Sequence, residues 1–198
     1  MTRHCMIDLE SLSTRKTAAL LSIGAIKFDP AGDNSKLIVG GPKRVEDIQS
    51  VTDSFYRRII VESNKELGLH VDADTVKWWM RQSEEAKQEA FMGGDRVPIR
   101  QALDEFYLWF SGAEFVWSKG ASFDCAILAE IFAIMGMKAP WKYPAERCVR
   151  TAYDLGSFDE KSQPKNALAH HPLFDAWHQI VGVQQSHANI YLPKPTAA

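Results

Sequence analysis

Residues 4–10 (HCMIDLE) are an apolar run of strand length that carries two acids two positions apart. Side chains alternate faces along a strand, so Asp8 and Glu10 point one way while Ile7 and Leu9 enter the opposite layer. After a polar turn, residues 17–28 (TAALLSIGAIKF) are apolar at nearly every position, which predicts a strand covered on both faces. Gly24 within that strand predicts a close approach by neighbouring backbone. Residues 29–34 (DPAGDN) have turn chemistry and predict a hairpin toward a third strand; residues 40–54 are polar and irregular, and residues 54–61 (SFYRRIIV) supply that strand. The period then lengthens. Residues 72–91 read as a helix through Val76, Trp79 and Met80, with Asp72 or Asp74 as N-cap and Gly93-Gly94 closing it. A second amphipathic helix spans residues 99–110 and a short strand spans 114–118. Ser122 is placed to cap a helix running to Gly136, with Phe123, Ile127, Ile131 and Met135 on one stripe. Residues 147–155 predict a further helix and residues 172–185 a last one, opened by Pro172. The end, residues 191–198, reads as a frayed tail. There are no repeats and no linker, so residues 1–190 are expected to form a single domain. Strands first, then helices alternating with strands, predict an α/β fold with a mixed central β-sheet flanked by helices.

Composition narrows what such a domain can do. A chain of 198 residues can bury a sizeable core. Its net charge of −2 excludes holding nucleic acid by broad phosphate neutralisation. Attraction for an anionic substrate must therefore come from a local site, with bound metal as the obvious source. Cys5, Cys125 and Cys148 are odd in number and lack CxxC spacing, which argues for a reducing compartment and against a zinc knuckle. No apolar run approaches membrane-spanning length, and no signal-peptide core is visible at the N-terminus. A cytoplasmic protein without membrane association is expected.

The chemistry lies in acids scattered along the chain. Each has an ordinary explanation when taken singly. The outer face of the first strand can be wet, Asp124 suits the dipole at the start of its helix, and His170, His171 and His178 can be surface histidines. The ordered set reads differently: Asp-x-Glu on a strand, Phe-Asp at a strand-to-helix turn, then His-x-x-x-x-Asp opening a final helix. Carboxylates brought together repel by about 4 kcal/mol per pair at ~4 Å and an effective dielectric of ~20. Two divalent ions roughly 3.5–4 Å apart relieve that repulsion, and oxygen ligands favour magnesium or manganese over zinc. A loop histidine can then take the proton of an attacking water.

The segments MIDLESLST (6–14), WSKGASFD (117–124) and HHPLFDA (170–176) resemble the three motifs of the DEDDh, DnaQ-like 3′→5′ exonucleases, which have a ribonuclease H-like fold. LLSIGAIKFD (20–29) and DTVKWWMRQS (74–83) resemble a small bacterial and phage branch that includes an actinobacterial exoribonuclease and the phage exonuclease A type. The similarity runs from about residue 4 to 185. It implies that Asp8, Glu10, Asp124 and Asp175 are ligands of two Mg2+ (or Mn2+) ions and that His170 is the general base. Four residues separate His170 from Asp175, as that pattern requires, whereas His171 has the spacing of the tyrosine in the sister DEDDy group. Lys119 stands where relatives often carry Asn or His, and Phe174 where they are often acidic or polar.

For the substrate, the resemblance implies that Leu12 wedges against the terminal base, the Ser11 backbone holds the 3′-hydroxyl and Phe123 stacks below. Trp78 and Trp79 point about 100° apart on a helix, which assigns Trp79 to the core and Trp78 to base stacking, with Gln82 one turn on and on the same face. Arg147 and Arg150 are candidate phosphate contacts. The expected reaction is stepwise release of nucleoside monophosphates from the 3′ end of single-stranded DNA or RNA, the choice between the two being open. The alternative is a non-catalytic domain on the same scaffold that binds nucleic acid or a partner. A homodimer is compatible with the resemblance, and no interface is legible.

Overall fold

The computed structural model describes residues 3–164 and 168–191. Six strands form one sheet: β1 (His4–Ser11), β2 (Leu20–Phe28), β3 (Ser54–Ile59), β4 (Arg96–Val97), β5 (Phe115–Ser118) and β6 (Glu146–Cys148), in the order β4-β3-β2-β1-β5-β6. β1, β2 and β3 pair antiparallel, while β5 runs parallel to β1, β6 parallel to β5 and β4 parallel to β3. The sheet is mixed, as its sequence predicts. β1 sits where the pairing changes from antiparallel to parallel.

Eight α-helices accompany the sheet among the described residues: α1 (Val45–Gln49), α2 (Ser63–Glu66), α3 (Ala73–Met80), α4 (Glu84–Lys87), α5 (Ile99–Trp109), α6 (Asp124–Ile134), α7 (Val149–Leu155) and α8 (Pro172–Tyr191). The alternation in β1 separates two cores. Cys5, Ile7 and Leu9 join Trp79 of α3, Phe106 of α5 and Leu128 and Ile131 of α6. Met6 joins Ile26 and Phe28 of β2 with Val149 of α7 and Leu173, Trp177 and Ile180 of α8. A helical layer thus covers each face. The near-continuous apolar run of β2 is explained by this double cover.

Gly24 explains how closely α8 docks. A Cβ there would lie 2.7 Å from the carbonyl carbon and the Cβ of Pro172, so the first turn of α8 rests directly on the backbone of β2.

Several boundaries differ from the sequence reading, each for a local reason. The helix expected over 72–91 starts with Asp72 as its cap, whose carboxylate accepts from the N–H groups of Asp74 and Thr75 at 2.9 Å. It then breaks after Met80, because the Ser83 hydroxyl accepts from Ala86 N and caps a new helix, α4. A single wide π-type turn, Gln88–Met92, follows. Ser122 does not cap α6. The chain instead makes a tight turn at Gly120 (φ +126°), whose carbonyl accepts from Phe123 N at 2.7 Å. The helix expected to begin at residue 147 begins at Val149, behind β6, and α8 runs to Tyr191 rather than ending at 185. Of the tail expected to fray, Tyr191 closes α8 and residues 192–198 lie outside the described residues.

Candidate active site

The C-terminal half of β1 delivers Asp8 and Glu10 to a cavity of about 520 Å³, and α6 and α8 bring Asp124 and Asp175 to the same cavity, with His170 beside them. Parallel pairing of β1 and β5 makes this convergence possible, because both strands end on the same side. α6 leaves β5 through the Gly120 turn and presents Asp124 in its first turn, where Oδ1 accepts from the backbone N–H of Leu9 at 3.2 Å. α8 presents Asp175 in its own first turn. One ligand atom each from Glu10, His170 and Asp175 lie within 4.8 Å of one another.

These acids share a crowded site. Burial raises the carboxyl of Asp8 well above the ordinary range, and Asp175 and then Asp124 push it further. Burial does the same to Glu10, followed by the charges of Asp8, Asp175 and Asp124. Asp124 is pushed up to about 6 by burial, against the partly opposing Leu9 N–H bond and the charge of Arg150. Two cations stand at the cavity. Lys119 is paired with Glu160 at the cavity, and Arg150 reaches in over Gly120, where a Cβ would meet its guanidinium at 2.9 Å. Such a cluster holds a proton or a cation at neutral pH.

His170 has left-handed backbone (φ +61°) and a half-buried ring set against the edges of Trp78 and Trp79, with centroids 5.0 and 5.9 Å away. Burial lowers its pKa, so the imidazole is neutral near pH 7 and can accept a proton. His171 differs in every respect. Its ring is fully buried, stacks on Tyr56 at 4.7 Å and accepts from Leu173 N through Nδ1 at 3.2 Å. Burial and the charge of Arg58 depress it to about 4. Of the two neighbours, His170 faces the cavity.

A second cavity of about 570 Å³ shares Leu9, Glu10, Trp78 and Phe123 with the first, making one trough. Trp78 is 38% exposed and lines both halves, while Trp79 is 1% exposed and donates from Nε1 to the Ser11 carbonyl at 2.9 Å. The tryptophans divide as the sequence predicts. Ser11 lines the second half, but three other expected contacts are corrected. Leu12 is buried, packed in the core beneath the sheet rather than offered to a base. Gln82 lies beyond the end of α3 and donates to the Trp78 carbonyl at 3.0 Å, closing the helix. Arg147, on β6, faces a separate cavity and stacks over Phe115 at 4.6 Å. Arg150 alone of the two arginines lines the acid-bearing cavity.

The sequence reading missed Gln179, whose amide donates to Asp8 Oδ1 at 2.7 Å. It lies four residues after Asp175 on α8, a spacing that marks it as a partner on the same face. Glu160 and His178 also line the cavity.

An acid-lined trough beyond the ends of parallel strands, in a mixed sheet flanked by helices, is consistent with an α/β nuclease. The family model of the 3′-5′ exoribonuclease Rv2179c-like domain matches residues 3–186, and the chain belongs to that family. The family's name indicates 3′–5′ exoribonuclease activity. No curated protein matches the chain. No helix among the described residues is long and apolar enough to cross a membrane.

Proposed function

We propose that the protein is a divalent-metal-dependent 3′–5′ exonuclease of the DEDDh, DnaQ-like type, with a ribonuclease H-like fold, that removes nucleoside monophosphates from single-stranded RNA. The observation that carries this reading is the convergence of Asp8, Glu10, Asp124 and Asp175 with His170 on one cavity, where burial and mutual repulsion raise the carboxyls of Asp8 and Glu10. RNA is favoured over DNA by the family to which the chain belongs.

The donor set fits the metals this reading needs. Four carboxylates offer hard oxygen ligands, the preference of Mg2+ and Mn2+, and burial raises the carboxyls of Asp8, Glu10 and Asp124. Asp8, Glu10, Asp124 and Asp175 would hold two such ions. When bound, these ions neutralise charge on the scissile phosphate and make the attacking water more acidic. His170 takes that water's proton on a ring nitrogen as the oxygen attacks phosphorus and the bond to the leaving 3′ oxygen breaks. Trp78 and Trp79 hold the imidazole edge-on, so it meets the water in a limited set of orientations. Gln179 fixes the rotamer of Asp8. Phe123 and Trp78, shared by both halves of the trough, give the last bases aromatic faces to stack against. Arg150 offers a guanidinium to the phosphate backbone.

The test is incubation with 5′-labelled RNA and DNA oligomers in Mg2+ or Mn2+, against EDTA. RNA should shorten one nucleotide at a time from its 3′ end, and EDTA or Asp8→Asn should stop it. Internal cuts, or an Asp8→Asn variant as active as the parent, would sink the proposal. Retention of RNA without shortening would identify a binding domain instead.

A further inference from the structure

Glu89 sits in the wide turn Gln88–Met92, outside the acid cluster, yet it is the hub of a half-buried polar knot. Its carboxylate accepts from Arg58 through Nε at 2.9 Å and Nη2 at 2.6 Å, and from the Tyr56 hydroxyl. Gly93 makes room for this pair: a Cβ there would lie 2.5 Å from Arg58 Nε. The fourth neighbour is His171, whose Nε2 lies 3.7 Å from Glu89 Oε1 and has no hydrogen-bond partner. Because Nδ1 of His171 accepts from Leu173 N, the neutral ring carries its proton on Nε2, the nitrogen nearer the carboxylate.

The same ring opens α8. His171 precedes Pro172 and accepts from the N–H of the second helical residue, while its carbonyl accepts from Asp175 N at 3.0 Å. It therefore acts as the N-cap. Tyr56 stacks on one side of the ring and Phe174 meets it edge-on at 5.5 Å. The residue before this clamped ring is His170, held at φ +61°, a left-handed conformation that costs a residue other than glycine some free energy.

We infer that Glu89 and His171 are a positioning pair for the cleavage reaction: Glu89 of the wide turn holds the His171 ring, and the clamped ring fixes the strained backbone that aims His170 at the scissile bond. Neither residue touches the substrate. The inference rests on the reading of His170 as general base.

The experiment is a double-mutant cycle on RNA cleavage. Glu89→Leu and His171→Asn are each compared with Glu89→Gln, in the parent and in a His170→Ala background, with thermal melting to confirm folding. Asn retains capping ability for α8 but cannot reach Glu89. Each disruptive variant should lower kcat by about 10- to 100-fold, the scale of misplacing a catalytic group by about 1 Å, with KM for RNA unchanged. Glu89→Gln, whose single amide oxygen can still accept from Arg58 Nε and stand beside His171 Nε2, should keep more of the rate than Glu89→Leu. In the His170→Ala background the same changes should cost nothing further, because the group they position is gone. Losses that multiply across the two backgrounds, or a Glu89→Leu enzyme with parental kcat, would overturn the inference. If His170→Ala alone kept full activity, the general-base reading would fail instead, which this cycle reveals separately. Should Glu89→Leu fail to fold, His171→Asn decides the matter by the same two criteria.

Discussion

Asp124→Asn should make the metal-free protein more stable while abolishing cleavage. The side chain is 6% exposed, and the fold raises its pKa from an ordinary 3.8 to about 6. A folded-state value above the unfolded one means that the folded protein binds more protons between those two pH values. Stability from this group is therefore complete below the unfolded pKa and is lost as pH rises through the folded one. Above about pH 6 the ionised Asp124 weakens the fold by roughly two pKa units, or ~3 kcal/mol, which for a chain of this size is ~6–12 °C in melting temperature. Asparagine keeps the shape and can still accept from Leu9 N while carrying no charge. The assay is urea or thermal unfolding in EDTA at about pH 8 and again at about pH 2.5, where the difference should nearly vanish because aspartate is then neutral in both states. Adding Mg2+ should stabilise the parent by roughly 2.7 kcal/mol at 100 times the dissociation constant and leave the variant nearly unmoved. A variant no more stable than the parent in EDTA near pH 8 would refute the argument that this carboxylate is held in place against its own electrostatics.

Trp78→Ala should raise KM for RNA by about 5- to 100-fold, corresponding to ~1–3 kcal/mol of lost stacking, while Arg147→Ala should leave KM unchanged because it faces another cavity; equal effects in a steady-state comparison would contradict the placement of the trough. Gly24→Ala should lower the melting temperature and activity together, since the added methyl would lie 2.7 Å from Pro172 and push α8 off β2 at a cost of ~1–3 kcal/mol. Parental melting and turnover in that variant would mean that α8 docks more loosely than the contact implies.

The sheet and the acids were legible because their signals are local. β1 and β2 announce themselves by alternation and by unbroken apolarity, and Gly24 marks the place where α8 lands. The acids sit in short segments whose order survives folding, so all four reach one cavity. Errors arose where three residues decide the geometry. β6 is only Glu146–Cys148, too short for any period, so residues 147–155 read as one helix carrying both Arg147 and Arg150. In the structure the strand turns Arg147 toward Phe115 and only the helical Arg150 faces the acids. Leu12 follows an acid-bearing strand and looked available, but it lies just past the bulge between Glu10 and Ser11 and is folded back into the core. Glu89 was invisible for a similar reason: a period of 3.6 carried through the Ser83 cap gives no hint that a wider turn aims it at Arg58 and His171.

The segments that build the trough are widely spaced along the chain, with Asp8 on the first strand and Asp175 on the last described helix. During synthesis the opening strand leaves the ribosome long before α8 exists to dock against Gly24. Until then the acids of β1 have neither Asp175 nor His170 beside them. The acid cluster is thus complete only once the final helix has closed on the sheet.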